Sequence, residues 1–82
     1  MTNLEKYNKA FIRNLGVKKE DLPGLKYRGI PQWDSIGHMD LMADLEGEFE
    51  IRMDTPDVLA FTSYEKGKEI LAAYGVELEE QE

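Results

Sequence analysis

The chain of 82 residues contains no cysteine and a single histidine. Without thiols there is neither a disulfide nor a thiolate metal site, and one histidine is too few for a histidine-based metal cage. No apolar run approaches the roughly 20 residues that a membrane span requires. The segment 1–11 also lacks the apolar stretch of a secretory signal. We therefore expect one soluble, cytoplasmic domain over residues 1–82, with no membrane span.

Acidic residues outnumber basic ones by 17 to 10, and the excess is uneven along the chain. Residues 1–33 carry seven basic and three acidic side chains, residues 34–57 carry one and eight, and residues 58–82 carry two and six. An acidic middle segment repels phosphate backbones, which argues against a nucleic-acid partner. It attracts proteins with basic patches, although charge alone favours a solvated surface that serves solubility.

Apolar residues recur at the spacing of amphipathic helices, and no segment has the pattern of a strand. Capping-box patterns stand at 2–5 and again at 62–65, where a threonine precedes a glutamate by three residues. We expect the acidic tail 77–82 to fray. Four segments are predicted to be helical: about 3–15 with Gly16 as its stop, about 35–50, a short one at about 57–61, and a last one from 62–65 to Gly75.

Proline and glycine interrupt residues 17–34, so that a regular helix is not expected there. Six apolar residues in the same stretch predict a long loop laid over the core, with room for one helical turn at 19–22. The fold class is therefore all-α: a small four-helix bundle with a long first loop and a short third helix. The expected core includes Met39, Met42 and Met53.

Ser35 stands where the apolar-rich loop becomes the second helix. Its hydroxyl should lie near free backbone N–H groups, and a phosphate ester attached there would meet the positive end of the helix dipole. Asp34 and Ser35 are also both good helix caps, and from the serine alone capping is the better explanation. Ile36 changes the balance, because an apolar residue on an exposed acidic face has no role in capping but suits a protein-recognition face. A lone exposed apolar residue is nevertheless common.

The second helix resembles the signature of the acyl carrier protein family. The resemblance covers this helix closely, and the helix lengths, the long loop and the short third helix are similar to the whole family fold. The matching residues are Asp34-Ser35-Ile36, Met39-Asp40-Leu41-Met42, Leu45-Glu46, Glu48-Phe49 and Ile51.

This resemblance implies that Ser35 carries 4′-phosphopantetheine, attached from coenzyme A by a phosphopantetheinyl transferase that uses magnesium. It implies that Asp34 helps the transferase to engage and that Ile36, Asp40 and Glu46 contact partner proteins. The partners would be acyl- or aminoacyl-loading ligases, synthases or transferases with basic docking patches. Such a protein is a carrier and not an enzyme: it presents acyl or aminoacyl thioesters to partner enzymes, has no catalytic residues or metal of its own, and is expected to be a monomer.

Three residues depart from the pattern of the fatty-acid carriers. Trp33 precedes Asp34, where that pattern has a small residue, and Gly37 and Gly47 stand where it has acids. The stretch 33–39 looks more like stand-alone carriers of specialised pathways, such as polyketide or nonribosomal peptide clusters. In the related fatty-acid carriers the acyl chain enters between the second and third helices, and we hypothesise the same here.

Three other functions are weighed against the carrier. A serine hydrolase using Ser35 and His38 is disfavoured, because the nucleophile elbow needs a glycine where Trp33 stands; we expect His38 to be half-buried and hydrogen-bonded locally. Asp54 and Asp57 lack the pattern of a calcium loop, and a surface acid cluster is the favoured interpretation. A small acidic helical protein-interaction module without a covalent cofactor remains an open alternative.

Overall fold

The structure, a computed structural model, describes residues 2–78, and in this range the chain is all-α. No strand occurs within residues 2–78, where the only β-type pairing is an isolated bridge between Lys26 and Ser63. The predictions of an all-α domain and of four helices with a short third one are confirmed. The helices are α1 (Asn3–Leu15), α2 (Ser35–Phe49), α3 (Thr55–Ala60) and α4 (Tyr64–Ala73), with a 3₁₀ turn at Lys19–Asp21.

The first helix begins and ends as its sequence predicts. The Thr2 hydroxyl accepts from the Glu5 N–H at 3.1 Å, and the Glu5 carboxylate accepts from the Thr2 N–H at 2.9 Å. This reciprocal pair satisfies two N–H groups that the helix cannot satisfy itself. At the other end Gly16 is left-handed, with φ of 67°, and donates to the Ile12 carbonyl.

The capping box predicted at 62–65 is wrong. Ser63 caps α4 instead, because its hydroxyl accepts from the Lys66 N–H at 2.9 Å. The Glu65 carboxylate accepts from the N–H of Gly24 in the long connection, at 2.9 Å. Thr62 is kept out of the helix because its carbonyl accepts from the Tyr27 N–H at 2.9 Å, beside the bridge to Ser63.

The acidic tail is partly described. The Glu77 carbonyl accepts from the Asn3 side-chain amide at 3.0 Å, and Val76 is buried. The fraying predicted from residue 77 onward therefore does not apply at Glu77. The remainder of that prediction, for residues 79–82, lies outside the described residues.

Phe11 on α1 is the centre of an aromatic core. Its ring centroid lies 5.0 Å from that of Tyr7, 5.3 Å from that of Tyr64 and 5.5 Å from that of Trp33. Phe61, just after α3, is also fully buried. The core thus draws two large rings from α1 and one each from the long connection, the residue after α3 and α4. The expectation that the connection lies over the core is confirmed by its buried residues Leu22, Leu25 and Trp33.

The methionine prediction is confirmed for two residues and wrong for the third. Met42 and Met53 are buried, whereas Met39 is 56% exposed. The core face of α2 is formed by His38, Met42 and neighbours one turn away. Met39 follows His38 by one residue, a rotation of about 100° around the helix, which carries its side chain off that face.

The polar atoms inside this core are paired. The Tyr7 hydroxyl donates to the Tyr64 carbonyl at 2.7 Å, and the Tyr64 hydroxyl donates to the Asn8 side-chain oxygen at 2.5 Å. Burial raises the pKa of Tyr7, so its hydroxyl stays protonated and remains a donor. Within residues 2–78 no buried side-chain nitrogen or oxygen lacks a hydrogen-bond partner.

Two glycines inside helices provide a test of this packing. A Cβ atom at Gly67 would overlap the Phe61 ring and the Tyr7 hydroxyl, whereas at Gly47 nothing lies within 4 Å. Alanine is favoured over glycine in a helix by about 1 kcal/mol at either position. We predict that Gly47→Ala raises the free energy of unfolding by roughly 0.5–1 kcal/mol, and that Gly67→Ala lowers it by about 1–3 kcal/mol because of overpacking. Urea denaturation of both variants measures this, and a stabilised Gly67→Ala variant would contradict the close packing.

Candidate functional site

Asp34 caps α2, and Ser35 is the first residue of the helix. The Asp34 carboxylate accepts from the Gly37 N–H at 2.9 Å, and its carbonyl accepts from the His38 N–H at 2.8 Å. Ser35 is exposed, and its hydroxyl has no hydrogen-bond partner within residues 2–78. Of the two candidate caps in the sequence, the structure assigns the role to Asp34. Capping therefore does not account for the serine.

Gly37 allows the long connection to pass directly against the first turn of α2. A Cβ atom at this position would overlap the backbone carbonyl of Gln32. A side chain two residues after Ser35 would therefore force the connection away from the helix. This contact gives a physical reason for glycine at a position where the related signature has an acid.

Trp33 and His38 join three segments through buried hydrogen bonds. The fully buried Trp33 indole N–H donates to Nδ1 of His38 at 2.9 Å, and Nε2 of His38 lies 2.8 Å from the carbonyl oxygen of Val58 in α3. A carbonyl only accepts and an indole N–H only donates, so His38 is the neutral tautomer with its hydrogen on Nε2. The local hydrogen bonding expected for His38 is confirmed, with burial deeper than half. Neither ring nitrogen bonds to the hydroxyl of Ser35.

Three large apolar side chains of α2 and α3 are exposed, and we call them the exposed apolar group. Ile36 is 74% exposed, Leu59 in α3 is 72% exposed, and Met39 is the third member. The hydrogen bond from His38 to Val58 brings α3 next to the start of α2. Sequence periodicity placed Ile36 on the surface but missed Met39, and nothing local to α3 signals that Leu59 points outward.

The acidic residues of α2 differ in how far the fold uses them. Asp44 forms a two-pronged ion pair with the Arg13 guanidinium at 2.8–3.0 Å. The Glu46 carboxylate accepts from the Met53 N–H at 2.8 Å and is half-buried. Asp40 is exposed and has no ion-pair partner in the described part of the chain. Of these three carboxylates, only Asp40 is fully available to a partner.

Asp54 and Asp57 were considered above as a weak cation site. In the structure both residues are hydrogen-bonded to the hydroxyl of Tyr74. The Tyr74 hydroxyl donates to the Asp57 carboxylate at 2.5 Å and accepts from the Asp54 N–H at 2.9 Å. The bond to Asp57 raises the pKa of Tyr74. This contact anchors the start of α3 to the end of α4. Within residues 2–78 no group of three or more histidine and acidic residues is arranged to hold a metal ion.

A shallow surface depression of about 270 Å³ adjoins the start of α2. Its lining includes Arg28, Ile30, Trp33 and Asp34, so it borders the residue that precedes Ser35. Neither Met42 nor Leu59 lines this depression. The hypothesis that cargo enters between α2 and α3 therefore stays a prediction.

None of the helices in residues 2–78 combines the length and the apolar character needed to cross a membrane. No protein-family model, no curated protein and no solved structure matches this chain. Its function is therefore argued from the geometry at the start of α2.

Replacing His38 tests the hydrogen-bonded link between the loop, α2 and α3. His38→Leu leaves the Trp33 N–H and the Val58 carbonyl without partners in a buried setting. We predict a loss of roughly 1–3 kcal/mol in the free energy of unfolding, measured by urea denaturation, and a shifted indole N–H resonance of Trp33. Asp40→Asn, an exposed change on the same helix, serves as the control and should leave both quantities unchanged. Unaltered stability and an unshifted indole resonance in His38→Leu would show that the link contributes nothing.

Proposed function

We propose that the protein is a phosphopantetheine-dependent carrier of the acyl carrier type, with Ser35 as the attachment point of the arm. The observation that carries this proposal is the free hydroxyl of Ser35, exposed at the first position of a long helix whose cap is supplied by Asp34. The element order also supports it. A long connection precedes α2, and a six-residue α3 separates it from α4.

The residues around Ser35 suit a phosphate-linked group. The start of a 15-residue helix offers backbone N–H groups and the positive end of the helix dipole to a phosphodiester. Gly37 adds no side chain, and only one oxygen of the Asp34 carboxylate is bonded within residues 2–78. That leaves its second oxygen for the transferase.

When bound, the 4′-phosphopantetheine group would supply a terminal thiol that holds acyl or aminoacyl cargo as a thioester. The chain's own part would be to provide the Ser35 oxygen and to hold the attachment point fixed. On attachment this oxygen would bond to the phosphorus that carries pantetheine in coenzyme A and lose its proton, while the pyrophosphate bond breaks and adenosine 3′,5′-bisphosphate leaves. Trp33 and His38 lie on either side of Ser35 and are tied to each other, which immobilises the backbone between them. Tethering then raises the effective concentration of the cargo at each partner enzyme.

Partner enzymes with basic docking patches would meet the exposed apolar group and Asp40. Apolar side chains supply contact area, and the unpaired carboxylate of Asp40 supplies steering toward a basic surface. Glu46 would contribute less to docking than its sequence position implies, because it also holds the Met53 N–H. Weak, fast docking of this kind suits a protein that visits several enzymes in turn.

The alternative is an acidic interaction module without a covalent group, for which the exposed apolar group would be the contact surface. This alternative gives no role to the Ser35 hydroxyl, which has no hydrogen-bond partner within residues 2–78. Modification of Ser35 separates the two proposals.

Ser35 should be modified by a broad-specificity phosphopantetheinyl transferase in the presence of coenzyme A and magnesium. We predict one phosphopantetheine adduct on the wild type and none on Ser35→Ala, detected by intact-protein mass spectrometry, with unchanged helix content by circular dichroism. Ser63→Ala is the matched control, because Ser63 is the only other serine in the chain. It should still be modified, while loss of the α4 cap lowers the free energy of unfolding by about 1 kcal/mol. An unmodified wild type, or a modified Ser35→Ala variant, would overturn the carrier proposal.

Charge reversal at Asp40 should slow association with the transferase several-fold, because an exposed rim charge acts mainly on the association rate. Glu69→Lys, the same change of charge on the surface of α4, is the control and should alter the rate little. Glu46→Gln keeps an acceptor for the Met53 N–H, so any change in the rate reports the lost charge alone. Glu46→Lys would remove that acceptor as well as reverse the charge. Stopped-flow binding at rising salt measures these rates. A salt-independent rate that Asp40→Lys leaves unchanged would mean that Asp40 is a solvated surface charge only.

A further inference from the structure

A groove runs along the side of the molecule formed by α1, the 3₁₀ turn and the start of α4. It consists of two adjoining depressions of about 300 Å³ and 260 Å³ that share Asn8 and Lys19 in their lining. Neither depression is lined by any residue of α2 or α3. The groove is therefore separate from the Ser35 site, and nothing in the proposed function uses it.

The groove has an apolar floor. Leu4, Leu22 and Tyr64 line its larger half and are largely buried, and Ile12 lines the other half and is half-buried. A ligand lying there would cover the exposed part of Ile12 and the small exposed parts of Leu4 and Tyr64. An apolar side chain of the ligand is the complementary feature.

Lysines dominate the charge that faces the groove. Lys9 and Lys19 have no ion-pair partner in the described part of the chain, and the Lys68 ammonium lies 4.7 Å from the centroid of the Tyr64 ring. Both carboxylates in the lining are used by the fold. Glu5 accepts from the Thr2 N–H, and Glu65 accepts from the Gly24 N–H. In the smaller half of the groove Lys9 and Lys19 face a single carboxylate, that of Glu5, so this half carries an excess of positive charge in a molecule with a net charge of −7.

Asn8 adds a positioned hydrogen-bond donor. Its side chain is buried, and its oxygen accepts from the Tyr64 hydroxyl, which fixes the orientation of the amide. The amide nitrogen has no acceptor among residues 2–78, and no buried side-chain nitrogen in that range is unpaired. The nitrogen therefore reaches the open space of the groove that Asn8 lines. Two N–H donors beside unpaired lysines are complementary to a carboxylate.

We propose that this groove binds an acidic segment of a partner protein, with its carboxylates at Asn8, Lys9 and Lys19 and an apolar side chain on the floor. Charge complementarity selects a partner protein over a second copy, because two copies each carry −7 and repel one another. Arg13, also on α1, is already paired with Asp44 of α2. A partner in the groove would leave the Ser35 site open, so that the protein could be held by one protein while serving another.

The test uses the full, unmodified chain, isotope-labelled for NMR. The probe is a synthetic hexapeptide of four acidic residues and two leucines, and its control replaces each acidic residue with the corresponding amide. We expect saturable shifts at the amides of Lys9 and Lys19 and at the side-chain amide of Asn8, with weaker binding at higher salt. The neutral peptide should bind at least about tenfold more weakly. Ser35→Ala should bind the acidic peptide like the wild type, so this test does not depend on the carrier proposal.

Matched variants locate the binding. Lys9→Glu with Lys19→Glu should weaken peptide binding by about tenfold or more. Lys6→Glu is the control, because Lys6 lies on α1 but lines a different depression, and it should retain binding within about twofold. Asn8→Asp keeps an acceptor for the Tyr64 hydroxyl while removing both N–H donors, so it should weaken binding with little change in the thermal midpoint.

Three outcomes of the peptide experiments would overturn the inference. They are peptide shifts confined to α2 and α3, equal binding of the neutral peptide, and an equal loss in Lys6→Glu. Concentration-dependent dimerisation that shifts the groove residues in the absence of peptide would instead identify a second copy as the occupant, and would overturn the assignment to a partner protein.

Discussion

The hydrogen bond from the Trp33 indole to His38, continued to the Val58 carbonyl, is the constraint on which the rest of the structure depends. It joins the end of the long connection, the first turn of α2 and the middle of α3. A neutral imidazole has one donor and one acceptor, so the three groups satisfy each other only in this order. Displacing any one segment leaves a buried polar group unpaired, at a cost of about 1–3 kcal/mol.

The position of Ser35 follows from that link. Trp33 lies two residues before it and His38 three residues after it, and these two side chains are bonded to each other. Asp34 caps the helix, so the hydroxyl of Ser35 is not used by the fold. Gly37 lets the Gln32 carbonyl lie against the helix without a clash. A covalent attachment site needs a fixed backbone and a free oxygen. Trp33, Asp34, Gly37 and His38 fix the backbone around Ser35, and none of them uses its hydroxyl oxygen.

The sequence was sufficient for features decided within one or two helical turns. The apolar stripe and the Thr2 cap located α1 to the residue, since both depend only on local spacing. It was insufficient where distant segments decide the outcome. The Thr62 carbonyl accepts from the Tyr27 N–H, which keeps Thr62 out of the α4 cap. The exposure of Met39 depends on which of the adjacent residues His38 and Met39 meets the core. At the candidate site, the sequence predicted that Ser35 stands at the start of α2. It could not predict the hydrogen bond from the Trp33 indole to His38, because that bond depends on how α3 packs.

The charged groups that are available to a partner differ from those that the sequence contains. Asp44 is paired with Arg13 and Glu46 holds a backbone N–H, so much of the acidity of α2 is already used within the fold. In the smaller half of the groove, Lys9 and Lys19 face a single carboxylate, that of Glu5, which leaves positive charge in excess there. The molecule thus has an acidic face and a basic groove although its net charge is strongly negative, and each surface is suited to a partner of the opposite sign.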